Sequence, residues 1–137
     1  MSARPATVLL VDDDAADREL TRRALVGGGL RAHLEEVEGG EEALDYLRRR
    51  GDYANASEVA GPDLILLDLN MPRMNGIELL EAMQALGFTG VPIVVLTTSQ
   101  ADVDVEACYA LGCASFLSKP VRWGEFAQVV AQLGRSF

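Results

Sequence analysis

The chain has 137 residues, a net charge of −9 and a pI near 4.5, and 49% of its residues are hydrophobic. This length suits one domain, and the apolar content excludes intrinsic disorder. The acidic excess disfavours nucleic acid and anionic membranes as partners, and no apolar run approaches the roughly 20 residues that span a bilayer. Two cysteines build no disulfide framework, so we expect a cytoplasmic protein with reduced thiols.

Five short apolar runs alternate with helical patterns along the chain. The first run, residues 7–11, is continuous, as in a strand buried on both faces, and a helical pattern over 14–27 follows it. A more polar strand at 31–37 suits a sheet edge, and residues 51–62 show no periodicity and suit an extended surface loop. In chain order, the later elements are a helix at 41–50, a strand at 63–68, a helix at 77–86, a strand at 91–96, a helix at 101–111, a strand at 114–117 and a helix at 122–133.

This alternation predicts an α/β fold, a (βα)₅ doubly wound sheet of five parallel strands with helices on both faces. In such sheets ligands bind at the carboxyl ends of the strands. The residues that follow each predicted strand are therefore the candidates for chemistry.

Polar side chains follow four of the predicted strands. Oxygen ligands of this kind suit Mg²⁺, whose charge would relieve the repulsion between neighbouring carboxylates. Asp68 ends the most apolar strand, and a rigid carboxylate beside a hard metal can attack phosphorus. The chain's one lysine and a strand-end hydroxyl could hold phosphoryl oxygens. The residues are Asp12 and Asp13 after the first strand, Asp68 and Asn70 at the third, Thr97 at the fourth and Lys119 after the fifth.

Asp14 has two interpretations at this point. It stands where a helix N-cap belongs, so capping explains it as well as chemistry does. The only histidine, His33, has no partner motif around it, which favours a partly exposed strand residue over a catalytic one.

The motifs together resemble the receiver domains of two-component response regulators, over essentially the whole chain, 1–137. Each motif alone is weak, but in this order and at strand ends they are specific. The matching pieces are Val11-Asp12-Asp13, Leu67-Asp68-Leu69-Asn70-Met71-Pro72, Asn75-Gly76, Val95-Leu96-Thr97 and Lys119-Pro120.

The resemblance implies a role for each matching residue. Asp68 would be the phosphoacceptor, and Asp12 and Asp13 the acidic pair. Asp13, Asp68 and the backbone carbonyl of Asn70 would bind Mg²⁺ directly, with Asp12 acting through water. Thr97 would be the switch hydroxyl, Lys119 a phosphoryl contact, Phe116 the aromatic switch residue and Lys119-Pro120 a cis peptide.

The resemblance also implies a fold and partners. The strand order would be the flavodoxin-like 2-1-3-4-5, and a histidine kinase would supply the phosphoryl group. The 51–62 loop is longer than in minimal receivers, and we expect a single receiver domain without an output domain. The loop and the motifs around Asp68 and Thr97 are similar to single-domain regulators that partner phytochrome-type kinases.

The last helix has two apolar stripes. Phe126, Val129, Val130 and Leu133 suit the core, whereas Trp123, Ala127 and Ala131 form a second stripe beside them. We expect a homodimer through this helix, the fourth helix and the fifth strand, a surface that the resemblance suggests. The alternative is a solvated helix with scattered apolar residues.

Two other functions compete with the signalling switch, which would support only its own phosphotransfer and autodephosphorylation. One is a phosphohydrolase that forms an aspartyl phosphate, but Asn70 stands where such enzymes carry an acid/base Asp. The other is an interaction module with a vestigial site, which the complete constellation disfavours. DNA binding has the least support, because the chain has no basic helix.

Overall fold

Strands and helices alternate in the protein as the sequence predicts. The structure, a computed structural model, describes residues 6–48, 61–88, 90–98 and 105–137. Within these ranges the elements are β1 (Thr7–Val11), α1 (Ala15–Gly28), β2 (His33–Val37), α2 (Gly40–Arg48), β3 (Leu64–Asp68), α3 (Gly76–Ala85), β4 (Ile93–Thr97), α4 (Val105–Ala110), β5 (Ser115–Ser118) and α5 (Trp123–Gln132). Most of the predicted 51–62 loop, residues 51–60, and the start of the predicted 101–111 helix lie outside the described residues.

The five strands form one parallel sheet in the order β2-β1-β3-β4-β5, which confirms the predicted flavodoxin-like order. Val11 of β1 pairs with Leu67 of β3, and Asp68 pairs with Leu96 of β4. Because the strands are parallel and in this register, Asp12 follows β1 at the same edge of the sheet where Asp68 ends β3.

Two apolar cores lie on the two faces of the sheet. Side chains alternate between the faces along each strand, so β1 gives Val8 and Leu10 to one core and Leu9 and Val11 to the other. Strands β1, β3 and β4 are buried throughout, which explains their unbroken apolar runs, whereas edge strand β2 is largely half buried. The first core is covered by α1 and α5, and the second by α2, α3 and α4.

Helix α5 packs on the sheet through its predicted core stripe, with Phe126 and Val130 buried. Trp123, from the second stripe, is half buried and packs beside Phe126, with ring centroids 5.6 Å apart. A Cβ atom built on Gly28 of α1 would lie 2.2 Å from the Trp123 ring, so only glycine allows the two helices to meet there.

Both cysteines lie in the described part of the chain. Cys108 and Cys113 are buried, and neither forms a disulfide there. None of the helices in the described ranges combines the length and the apolar character that crossing a bilayer would require.

Candidate phosphoacceptor site

Three strand ends bring the predicted residues together. Asp68 ends β3, Thr97 ends β4 and Asp12 directly follows β1, and all three are buried. Lys119 follows β5, and its backbone N–H donates to the Thr97 carbonyl at 2.9 Å, which ties the two strand ends together. Asp13 is exposed at the mouth of this crevice.

The acidic pair and Asp68 form one cluster of carboxylates. Asp12, Asp13 and Asp68 each offer an oxygen, and these oxygens lie within 4.8 Å of one another. One oxygen of each buried carboxylate accepts a backbone N–H: Asp12 Oδ1 accepts from Asp14 at 3.0 Å, and Asp68 Oδ1 accepts from Asn70 at 3.1 Å. These hydrogen bonds fix the carboxylates and direct their second oxygens into the crevice.

The ammonium of Lys119 lies among the carboxylates. Its Nζ is 2.8 Å from Asp12 Oδ2, 3.1 Å from Asp17 Oδ2 and 3.2 Å from Asp68 Oδ2, and the side chain is only 9% exposed. Burial alone would lower the pKa of Lys119, but Asp12, Asp17 and Asp68 more than offset it, so the net pKa is raised. Lys119 is therefore charged at neutral pH.

Burial dominates the ionisation of Asp68. It raises the pKa of this carboxyl to about 6, since the low-dielectric surroundings disfavour the charged form. The Asn70 N–H and the Lys119 ammonium lower the pKa, and the neighbouring Asp12 raises it. Asp68 is thus an ionised but poorly compensated carboxylate at neutral pH, a suitable nucleophile.

The cluster fits a hard divalent cation. Buried Asp12 Oδ2 forms an ion pair with Lys119, but no donor among the described residues is aligned for a hydrogen bond to it. The carboxylates outnumber the ammonium. Each side-chain atom available to bind a metal is a carboxylate oxygen, the ligand type that Mg²⁺ and Mn²⁺ prefer. The excess negative charge is what a bound cation would neutralise.

The loop from β3 to α3 keeps helix α3 close to Asp68. The Gly76 N–H donates to the Leu69 carbonyl at 3.1 Å, and a Cβ on Gly76 would lie 2.7 Å from the Leu69 Cα and 3.0 Å from the Asp68 carbonyl oxygen. A capping box of Asn75 and Glu78 begins the helix. Helix initiation by Asn75 and the close packing of Gly76 against Leu69 and Asp68 therefore explain the Asn-Gly pair structurally.

The predicted aromatic switch residue lies on the β5 side of the site. Phe116 is half buried and meets the exposed ring of Tyr109 edge-on, with centroids 5.4 Å apart. The Lys119-Pro120 peptide is cis, as the resemblance implies. Asp14 is the N-cap of α1, accepting from the Asp17 N–H at 3.0 Å, so of its two interpretations capping has direct structural support.

Two residues of the site escaped the sequence-based analysis. Asp17 contacts Lys119, and Arg18 donates to the Asp12 carbonyl at 2.7 Å. An acid in the first turn of a helix is commonly explained by its interaction with the helix dipole, so the sequence alone does not indicate a further role for Asp17. Both residues lie in the first turn of α1, directly after the end of β1, and this position could have indicated a place in the site.

The sequence of the chain matches a known protein family. The family model for the response regulator receiver domain matches residues 8–131. The chain belongs to this family, whose domains serve signalling and are not enzymes in the usual sense.

Phytochrome response regulators are among its relatives. The response regulator Rcp1 of Synechocystis sp. is 38% identical over 84% of this chain and 77% of its own length, and one structure of Rcp1 is a Mn²⁺-bound form. The bacteriophytochrome response regulator RtBRR is 39% identical, with a TM-score of 0.86 over 98% of this chain and 81% of that one. The phosphorylated cyanobacterial phytochrome response regulator RcpA is 34% identical, with a TM-score of 0.75 over 95% and 91%.

Proposed function

We propose that this receiver domain takes a phosphoryl group from a histidine kinase onto Asp68 in the presence of Mg²⁺. The observation that carries the proposal is the position of the Lys119 ammonium, 3.2 Å from Asp68 Oδ2 and 2.8 Å from Asp12 Oδ2. One nucleophilic carboxylate, one acidic pair and one cation are the components that transfer of a phosphoryl group to a carboxylate requires.

In the proposed transfer, Asp68 supplies the attacking oxygen. A bond forms between this oxygen and phosphorus as the bond from phosphorus to the kinase imidazole nitrogen breaks. Asp13, Asp68 and the Asn70 carbonyl would hold Mg²⁺, with Asp12 acting through water, and the ion would supply neutralising charge. Lys119 would hold one phosphoryl oxygen by charge and Thr97 another by a hydrogen bond.

The phosphorylated state would act as a switch. The new dianion draws Lys119 and Thr97 inward, and Phe116 repacks behind Thr97 and leaves Tyr109. The surface of α4, β5 and α5 then changes its affinity for a partner, which is a population shift driven by local charge.

Two finer proposals concern partners. The phytochrome response regulators among the relatives support a phytochrome-type kinase as the phosphodonor, and transfer in the cytoplasm stays a prediction. The predicted homodimer through α4, β5 and α5 stays a prediction. Of its predicted residues, Ala131 is exposed and Ala127 is half buried, whereas Trp123 packs on Gly28. Sedimentation showing a monomer at high concentration, with and without phosphorylation, would exclude the dimer.

The test of phosphorylation is the intact mass of the chain after incubation with acetyl phosphate, with Mg²⁺ or with a chelator. We expect one added phosphoryl group in the unaltered chain with Mg²⁺ only. Asp68→Asn should show none, because the amide is not a nucleophile toward phosphorus. Asp45→Asn, on α2, is the matched control and should be modified like the unaltered chain.

Each possible outcome decides between functions. Uptake that survives in Asp68→Asn would refute the assignment of Asp68. Uptake in neither chain, also with a purified histidine kinase as donor, would favour the vestigial interaction module. Steady turnover of small phosphomonoesters would favour a phosphohydrolase, although Asn70 cannot transfer the proton.

A further inference from the structure

Asp17 is a third carboxylate on Lys119 and lies outside the acidic pair. It stands in the first turn of α1, and its backbone N–H donates to Asp14 Oδ1, which fixes its place on the helix. Its Oδ2 accepts a hydrogen bond from Lys119 Nζ at 3.1 Å, across 102 positions of sequence. This contact joins α1 directly to the end of β5.

Three carboxylates surround the ammonium of Lys119, which donates a hydrogen bond to Asp17 and forms ion pairs with Asp12 and Asp68. An ammonium has three N–H groups, and three carboxylates lie around Nζ, at 2.8 Å from Asp12, 3.1 Å from Asp17 and 3.2 Å from Asp68. A phosphoryl group arriving on Asp68 brings new oxygens that need the same donors. The new oxygens therefore compete with the present carboxylate partners for the one ammonium.

We propose that Asp17 is a positioning residue that holds the Lys119 ammonium on the α1 side of the site and so slows phosphoryl transfer to Asp68. The inference rests on the proposed function. Asp17 is the partner that Lys119 would give up, because its side chain is 38% exposed and water can replace the lysine, whereas Asp12 and Asp68 are buried. Its charge also opposes the approach of a phosphoryl dianion.

Helix stabilisation is the simpler explanation of Asp17. A variant of the neighbouring Asp14 distinguishes this explanation from the positioning role. An acid in the first turn interacts favourably with the helix dipole, but so does Asp14, which does not contact Lys119 in the structure. Asp14→Asn removes the same charge from the same end of α1 and keeps a good N-cap. It is the matched control for Asp17→Asn.

The experiment follows the rate of phosphorylation of the full chain by acetyl phosphate at saturating Mg²⁺, using intact mass. We expect Asp17→Asn to react about fivefold faster, because a charged acceptor of Lys119 is replaced by a weaker neutral one. Asp14→Asn and Asp17→Glu should keep the rate of the unaltered chain, the latter because the carboxylate is retained. Urea unfolding of all four proteins reports any purely structural role of Asp17.

The outcomes distinguish this inference from the proposed function. If the unaltered chain is phosphorylated but Asp17→Asn is equally fast or slower, the positioning role is wrong and the proposed function stands. If Asp14→Asn accelerates as much as Asp17→Asn, the effect is net charge and the positioning role is wrong. If no variant is phosphorylated, the proposed function fails and this inference fails with it. Uptake by Asp17→Asn alone would support both.

Discussion

Helix α1 has a charge cluster on each of two sides, and the two clusters are built differently. The surface cluster joins three arginines to three glutamates, with contacts that include Arg22 Nε to Glu36 Oε2 at 2.8 Å and Arg23 Nε to Glu19 Oε1 at 2.8 Å. Its members are Arg18, Arg22, Arg23, Glu19, Glu36 and Glu38. The site cluster places one ammonium among three carboxylates.

The difference separates a structural role from a functional one. In the surface cluster each charge has a partner and most of the side chains reach water; the hydrogen bond from Arg22 to Glu36 raises the pKa of that guanidinium. Such pairs contribute little to stability. In the site cluster Asp12 and Asp68 are buried, the side chain of Lys119 is only 9% exposed, and the carboxylates outnumber the ammonium. Buried, unbalanced charge opposes folding, so it indicates a functional role such as binding a cation or a phosphoryl group.

The largest expected effect follows from removing the one cation of the site cluster. Lys119→Ala leaves Asp12 and Asp68 buried beside each other, so the metal-free protein should lose about 3–5 kcal/mol of unfolding free energy. Urea unfolding measures this loss, and Mg²⁺ should restore part of it. A loss below that of a surface-cluster variant would show that the buried carboxylates do not depend on Lys119.

An intermediate effect of opposite sign follows from removing one carboxylate. Because the pKa of Asp68 is raised from 3.8 to about 6 in the folded protein, its ionisation destabilises the fold. Below pH 3.8 the carboxyl is protonated in both the folded and the unfolded chain and does not destabilise the fold, and the free energy of unfolding falls as the pH rises to about 6. Asp68→Asn should therefore stabilise the metal-free protein by about 1–3 kcal/mol at neutral pH.

Thermal unfolding across that pH range checks the sign. The advantage of Asp68→Asn should vanish near pH 3.8, the ordinary value for the carboxyl, and reach its full size above about pH 6. A variant that is less stable than the unaltered chain at neutral pH without metal would mean that the contact with Lys119 outweighs the burial of Asp68.

The smallest effect is expected in the surface cluster. Arg22→Ala removes the contact with Glu36, and because both side chains are partly exposed, the decrease in melting temperature should be small and should disappear at high salt. A decrease that persists in high salt would show packing of the arginine stem in place of charge pairing, and would weaken the contrast between the clusters.

The sequence predicted the strands better than it predicted side-chain partners. Periodicity predicted the ten elements that the described residues form, because β1, β3 and β4 are buried on both faces and helices cover them. Errors are confined to boundaries: the strand predicted from residue 91 begins at Ile93, after Pro92, which cannot donate to a sheet.

Side-chain partners depend on distances that no local pattern contains. The strand-end rule placed Asp12, Asp68 and Lys119 at one edge, and the structure brings them into contact. Asp17 and Lys119 are 102 positions apart, so their contact follows from how α1 sits beside β5, which emerges only from the packing of the whole sheet. The family resemblance did not supply it either, because none of its matching motifs contains Asp17.

The contact between Trp123 and Gly28 gives the protein an optical probe. Trp123 is the only tryptophan, and its ring lies where α5 meets α1. Its emission therefore reports the interface between α1 and α5 and not the carboxylate cluster directly. A change in that emission on phosphorylation would mean that this interface has shifted, whereas constant emission would confine the rearrangement to other parts of the protein.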